Sequence, residues 1–176
     1  ALREIPRKAE WQVLVLGTGS GAIAIAIACE RKMCQVTAVD VSEAALAVAR
    51  ENVRARTPGN VGLEAGNSTA PGREQKFDVI VSNPPYVRSD DEALAALRHE
   101  PHSALAAGTD GLDAIRALAA ECGSILKEHG ILLIEHGAEQ KAAVAGLLME
   151  HGWTEICCHN DLAGLPRVTA ARRNGK

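Results

Sequence analysis

Gln12-Val13-Leu14-Val15-Leu16-Gly17-Thr18-Gly19-Ser20-Gly21 decides how this chain folds. An aliphatic run that breaks into alternating glycines reads as a buried strand turning at once into a helix, here over 22–31. Glycines at such a junction let the backbone approach a ligand closely, and the helix start behind them offers free N–H groups.

Outward from this stretch the chain keeps alternating short aliphatic runs with helical segments. Strands are expected over 35–40, 61–65 (weakly), 77–82, 131–135, 153–159 and 167–171. Ser42 caps a helix running to about Arg56, with Leu46, Ala49 and Val53 on one face. Residues 87–109 read as loop, punctuated by Pro101 and Gly108. Asp110 is then expected to cap a long helix carrying Leu112, Ile115, Leu118, Cys122 and Ile125 at three- to four-residue steps. Another helix spans 138–151 and is closed by Gly152. Strands buried on both faces and alternating with helices give an α/β fold, a Rossmann-like doubly wound sheet with helices on both faces.

The chain has 176 residues, enough for one domain with a full core. Its aromatics are Trp11, Trp153, Phe77 and Tyr86, so aliphatic residues must build that core. A net charge of −3 gives no broad basic footprint, which argues against nucleic acid as a partner. No apolar run has membrane length and no signal peptide is visible. Cys29, Cys34, Cys122, Cys157 and Cys158 form no CxxC pattern and are odd in number. They read as reduced, mostly buried thiols of a cytoplasmic protein.

Asp40 ends the second strand, where a carboxylate can accept both hydroxyls of a ribose. With the glycine loop it points to an adenosine-type cofactor. The loop also satisfies the dinucleotide pattern G-x-G-x-x-A through Ala22, so it does not by itself identify the cofactor. The fourth strand breaks the tie. Phe77-Asp78-Val79-Ile80-Val81-Ser82 runs into Asn83-Pro84-Pro85-Tyr86. Two prolines carry no N–H and cannot continue a ladder, so a stiff, donor-poor loop must open there. It presents a side-chain amide, unpaired carbonyls and one aromatic ring. Such a set accepts both hydrogens of a planar –NH2 group and stacks on its plane, which suits chemistry at an amide or exocyclic amino nitrogen.

Leu16-Gly17-Thr18-Gly19-Ser20-Gly21-Ala22-Ile23-Ala24, Val39-Asp40 and Val81-Ser82-Asn83-Pro84-Pro85-Tyr86-Val87 resemble the glutamine N5-methyltransferases of peptide-chain release factors, the PrmC/HemK family. Glu100-Pro101, Ala104-Leu105, Gly111, Leu132-Leu133-Ile134-Glu135-His136-Gly137 and Arg167-Val168 continue the match. It covers nearly the whole chain from Trp11 onward. Asn-Pro-Pro-Tyr alone is shared with adenine N6-methyltransferases, and the downstream pieces tilt the reading to the protein-modifying family.

The resemblance implies a class I methyltransferase sheet of seven mostly parallel strands and S-adenosylmethionine as cofactor. Gly17, Thr18, Gly19, Ser20, Gly21, Asp40, Asn67, Ser68 and Asn83 would bind it. Asn83, Pro84, Pro85, Tyr86 and Glu100 would hold the substrate glutamine, with Asn83, Pro84 and Tyr86 catalytic. The partner would be a release factor, met in the cytoplasm by a monomer. Residues 1–176 would form the catalytic domain, opened by a linker-like segment over 1–10. The family's N-terminal helical domain and its Pro-Arg-Pro segment are not in this sequence. Val15 stands where the family usually has an aspartate, and Asn67-Ser68 where it usually has an acid and an aromatic beside the adenine. Fewer carboxylates beside a cationic cofactor predict weaker binding.

Two rivals stay open on the residues alone. One is an adenine N6-methyltransferase acting on DNA or RNA, which would want a basic face. The other is a cofactor-weak binding module. His99 and His102 lack further ligands at metal-binding spacing, so no metal is expected. His136 is expected to make a core or backbone hydrogen bond, and Arg172-Arg173-Asn174-Gly175-Lys176 to be a solvated tail.

Overall fold

A computed structural model describes residues 1–57, 59–66, 75–87 and 108–173. The strands are β1 (Gln12–Leu16), β2 (Gln35–Asp40), β3 (Val61–Ala65), β4 (Phe77–Ser82), β5 (Leu126–Glu135), β6 (Trp153–Asn160) and β7 (Pro166–Arg173). They form one sheet in the order β3-β2-β1-β4-β5-β7-β6. Only β7 runs against its neighbours, pairing antiparallel with β5 and β6. The helices are α1 (Ala22–Glu30), α2 (Glu43–Arg56), α3 (Asp113–Glu121) and α4 (Lys141–Glu150).

Alternation along the central strands sorts the core into two layers. Val13, Val15, Val79, Val81, Ile131 and Leu133 pack on one face with Ala24, Ile27 and Ala28 of α1. Leu14, Leu16, Ile80, Leu132 and Ile134 pack on the other with Ile115 and Leu118 of α3 and Val144 and Leu148 of α4. Both faces are covered, so the central strands read as unbroken aliphatic runs. The edge strand β3 alternates half-buried with exposed residues, which explains its weak sequence signal. The Ser42 cap holds as expected, its hydroxyl accepting the Ala45 N–H at 3.2 Å.

The segment over 1–10 has no helix or strand. Ile5 is nonetheless buried, and the buried Arg31 guanidinium donates to the Ile5 carbonyl at 2.7 Å and to the Leu2 carbonyl.

Four expectations are corrected. The helix opened by Asp110 is shorter: α3 starts at Asp113 with Leu112 as its N-cap, and a 3-10 turn over Cys122–Ser124 ends it. Asp110 instead accepts the Leu112 N–H at 3.1 Å and pairs with Arg116. The fifth strand starts at Leu126, which pairs with Phe77 before Ile131 pairs with Val79. Lys127-Glu128-His129-Gly130 bulges out between these pairings, His129 taking a positive φ of 59°, so the polar stretch hides the strand's start. Arg172 and Arg173 are not tail but the end of β7; Arg172 pairs with Glu155 at 2.9 Å, and Arg173 donates to the Leu126 carbonyl. Of the five thiols, all free, only Cys34 and Cys122 are buried, with Cys29 and Cys157 exposed.

Candidate active site

Leu16 lies opposite Val39 of β2 on one side and opposite Ser82 of β4 on the other. The residues that leave these strands, Gly17, Asp40 and Asn83, therefore emerge side by side at one edge of the sheet. Successive crossovers run from β1 to β2 and β3 on one side, while β4 and β5 lie on the other. The crevice at such a reversal of strand order is where open α/β sheets bind ligands. The Ser82 hydroxyl donates to the Leu16 carbonyl at 3.1 Å and ties the two central strand ends together.

Gly17, Gly19 and Gly21 all have positive φ, at 65°, 55° and 85°. At Gly17 and Gly19 an added Cβ would meet no atom of the described residues within 4 Å, and both glycines line the cavity before the loop. Gly21 is different: its Cβ would lie in contact with Ala49 of α2 at 3.4 Å, so it faces the neighbouring helix, and its φ of 85° is what favours glycine. The Thr18 N–H donates to the Val39 carbonyl at 2.9 Å, while its buried hydroxyl has no hydrogen-bond partner among the described residues. Ser20 is exposed at the loop's rim.

Asp40 holds this loop. Its Oδ2 accepts the Gly19 N–H at 2.8 Å and its Oδ1 accepts the Ser42 N–H at 2.9 Å. Each carboxylate oxygen can accept a second hydrogen bond, so both stay available to a ligand's hydroxyls.

Two cavities flank these residues. One, of ≈ 450 Å³, is lined by Gly17, Gly19, Ser20, Asp40, Val41, Val48, Asn83, Pro84 and Pro85 among others. The other, of ≈ 280 Å³, shares Gly17, Asp40, Val41, Pro84 and Pro85 and reaches Ala114, Ala117 and Leu118 of α3. Among the described residues that line them, Asp40 is the charged one. A cavity before two glycines and a carboxylate with spare lone pairs fit an adenosine-bearing, positively charged ligand.

Asn83 is exposed, Pro84 buried, and Pro85 and Tyr86 half-buried. The structure thus gathers the glycine loop, Asp40 and the Asn-Pro-Pro segment at one site. Asn67, Ser68 and Glu100 lie outside the described residues. Sequence reasoning missed Val41 and Val48, which are 75% and 50% exposed at the first cavity. Two valines in solvent suit the flat face of a base. Val41's place directly after Asp40 was the available signal.

His136 is fully buried, its Nδ1 2.8 Å from the Gly137 carbonyl and its Nε2 2.8 Å from the Thr169 hydroxyl. A carbonyl only accepts, so Nδ1 carries the proton toward it. The role is structural, as expected. Among the described residues, no three His, Cys, Asp or Glu side chains come together to hold a metal ion. No helix among them is long and apolar enough to cross a membrane.

This sheet order with its glycine loop is that of class I methyltransferases. The structure superposes on a methyltransferase from Pyrococcus furiosus with a TM-score of 0.73 over 99% of this chain and 80% of that one. At 18% identity the likeness is one of fold. Residues 1–110 match the methyltransferase small domain, and the chain belongs to that family. It is 46% identical over 177 residues to the release factor glutamine methyltransferase of Xylella fastidiosa (strain Temecula1 / ATCC 700964), covering 99% of this chain. The release factor glutamine methyltransferase of Coxiella burnetii (strain RSA 493 / Nine Mile phase I) is 41% identical over 172 residues, covering 98%. The chain spans 64% and 62% of these two relatives' lengths. The resemblance read from the motifs is therefore borne out along almost the entire chain.

Proposed function

We propose that this chain transfers a methyl group from S-adenosylmethionine to the side-chain amide nitrogen of a glutamine in a peptide-chain release factor. One observation carries the reading: Asn83 and the donor-free prolines border the same cavity as Gly17, Gly19 and Asp40. A nitrogen acceptor and an adenosine site on one crevice suit methyl transfer to an amide or amine. The 41–46% identity to release factor glutamine methyltransferases supports glutamine over adenine, as does the net charge of −3.

S-adenosylmethionine, when bound, supplies an electrophilic methyl group. Asp40 would receive its ribose hydroxyls, the glycine loop would face its amino-acid end, and Val41 and Val48 would pack on the adenine. The Asn83 side-chain oxygen and the Pro84 carbonyl would accept the two N–H bonds of the substrate amide, with Tyr86 packed on its plane. An amide nitrogen is a poor nucleophile because its lone pair is delocalised into the carbonyl. Holding it in line supplies proximity, and the two acceptors stabilise the positive charge that develops on nitrogen. The methylated nitrogen then sheds a proton readily, so no strong general base is needed. We further propose that residues 1–176 constitute the catalytic domain, and that it acts in the cytoplasm, where a release factor works.

The test is incubation with methyl-labelled S-adenosylmethionine and either purified release factor or adenine-containing DNA and RNA. Label on a glutamine side chain supports the reading. Label on adenine overturns it in favour of the nucleic-acid rival. Label on neither, with cofactor bound, makes the chain a binding module.

A further inference from the structure

We propose that Gln140 is a positioning residue that fixes the exit of the Asn83–Tyr86 loop. Its side-chain amide joins three separate segments. Nε2 donates to the Tyr86 carbonyl at 3.1 Å and to the Gly111 carbonyl at 3.2 Å, with the Asp110 carbonyl at 3.5 Å. Oε1 accepts the Gly137 N–H at 2.9 Å. The loop after β4, the turn before α3 and the turn after β5 are thus held by one planar group.

The loop needs such a partner. Pro84 and Pro85 carry no N–H, so the segment cannot lock itself through its own backbone. An outside donor can hold its exit, and Gln140 gives it one N–H bond at the Tyr86 carbonyl while tying the same amide to the Gly111 carbonyl. Gly111 makes the approach possible. It is buried at a φ of +74°, and a Cβ on it would lie 2.5 Å from the Tyr86 carbonyl oxygen and 2.8 Å from Gln140 Nε2. Gly137 is fixed in turn, because its carbonyl meets both the His136 ring and the Gln140 N–H, the latter at 3.0 Å. The anchor of the clamp is therefore rigid, and what it grips is the last residue of the loop proposed to hold the substrate amide.

The consequence is directional. Breaking the tie leaves Asp40 and the glycine loop in place, so cofactor affinity holds while turnover falls. A misplacement of about 1 Å at reacting groups costs roughly 100-fold in rate. Gln140→Leu keeps the bulk and removes both donors; Gln140→Asn keeps the amide and shortens its reach.

Tyr86 is the chain's single tyrosine, so 3-fluorotyrosine labelling places one fluorine probe on this loop. In the full chain, Gln140→Leu and Gly111→Ala should each shift or broaden the 19F resonance. Gln140→Asn does the same and serves if the leucine variant does not fold. Each should lower kcat about tenfold or more with the KM for S-adenosylmethionine within about threefold, and the double variant should be no worse than the single ones. An unmoved resonance in a folded variant overturns the inference, as does a fall in kcat matched by an equal loss of cofactor affinity. The kinetic arm rests on the methyl-transfer reading and the fluorine arm does not. Wild-type chain that transfers no methyl, with the resonance still moved by Gln140→Leu, defeats that reading and leaves the clamp standing.

Discussion

Asn83 and Asp40 sit at the same edge of the sheet and do different work. Asn83 is exposed and lines the first cavity; in the proposed mechanism its oxygen faces the charge that develops on nitrogen. Asn83→Ala should lower kcat by about 100-fold or more while cofactor affinity stays within a few-fold, the pattern of an interaction made in the transition state. Steady-state kinetics beside a binding titration checks this, and unchanged turnover would refute the mechanism. Asp40 already accepts two backbone N–H groups. Asp40→Ala should weaken cofactor binding by about tenfold or more, since hydrogen bonds to a charged group contribute roughly 1.5–3 kcal/mol each. Unchanged affinity would mean the pocket is elsewhere. Val15, where an aspartate is usual in the family, is fully buried between Ala38 and Val81 in the sheet. The position gives this chain packing instead of charge.

Elements position these residues, and their ends are held by polar ties. His136 seals the exit of β5 against β7 through Thr169. His136→Ala leaves a buried hydroxyl unpartnered and opens a cavity, so thermal or denaturant unfolding should report a loss of about 2 kcal/mol or more. The turn before α3 depends on charge: the hydrogen bond from Arg116 holds the Asp110 carboxyl below its ordinary value of 3.8. A group with a depressed folded pKa contributes stability above its unfolded value and loses it as pH falls through the folded one. Stability should therefore drop below about pH 4, and Arg116→Ala should flatten that drop in an acid titration followed by circular dichroism. If the variant's acid limb were as steep as the wild type's, the pair would not matter. At this scale much was legible: aliphatic runs bounded by glycine, Ser42 or Asp40 marked strands and helices closely. What was hidden depended on long-range pairing. Arg172 and Arg173 look like a tail until β7 is seen to lie between β5 and β6. Gln140 meets Tyr86 and Gly111 across 54 and 29 residues of sequence, a contact no local pattern announces.

For the whole molecule, the strand order explains why two motifs far apart in sequence read as one site. β1 and β4 are neighbours at the point where the order reverses, so the glycine loop and Asn83 meet although 66 residues separate Leu16 from Ser82. The motifs were legible because glycine, proline and a strand-end acid are each demanded by backbone or ligand chemistry. The valine wall was not, because an exposed valine looks like any other until the crevice is built. The burial pattern also predicts thiol chemistry. Desolvation pushes the Cys122 thiol up to about 12. Native-state alkylation read by mass spectrometry should therefore modify Cys29 and Cys157 first, and reach Cys34 and Cys122 only on unfolding. Early labelling of Cys122 would contradict the packing of α3 on the sheet.

We propose the crevice between β1 and β4 as an S-adenosylmethionine site. Calorimetric titration of the folded chain with S-adenosylmethionine and its demethylated product checks this. Micromolar binding, about −8 kcal/mol, that Asp40→Ala weakens is the predicted result. No detectable heat with either compound in a folded sample, or binding indifferent to Asp40, would contradict it.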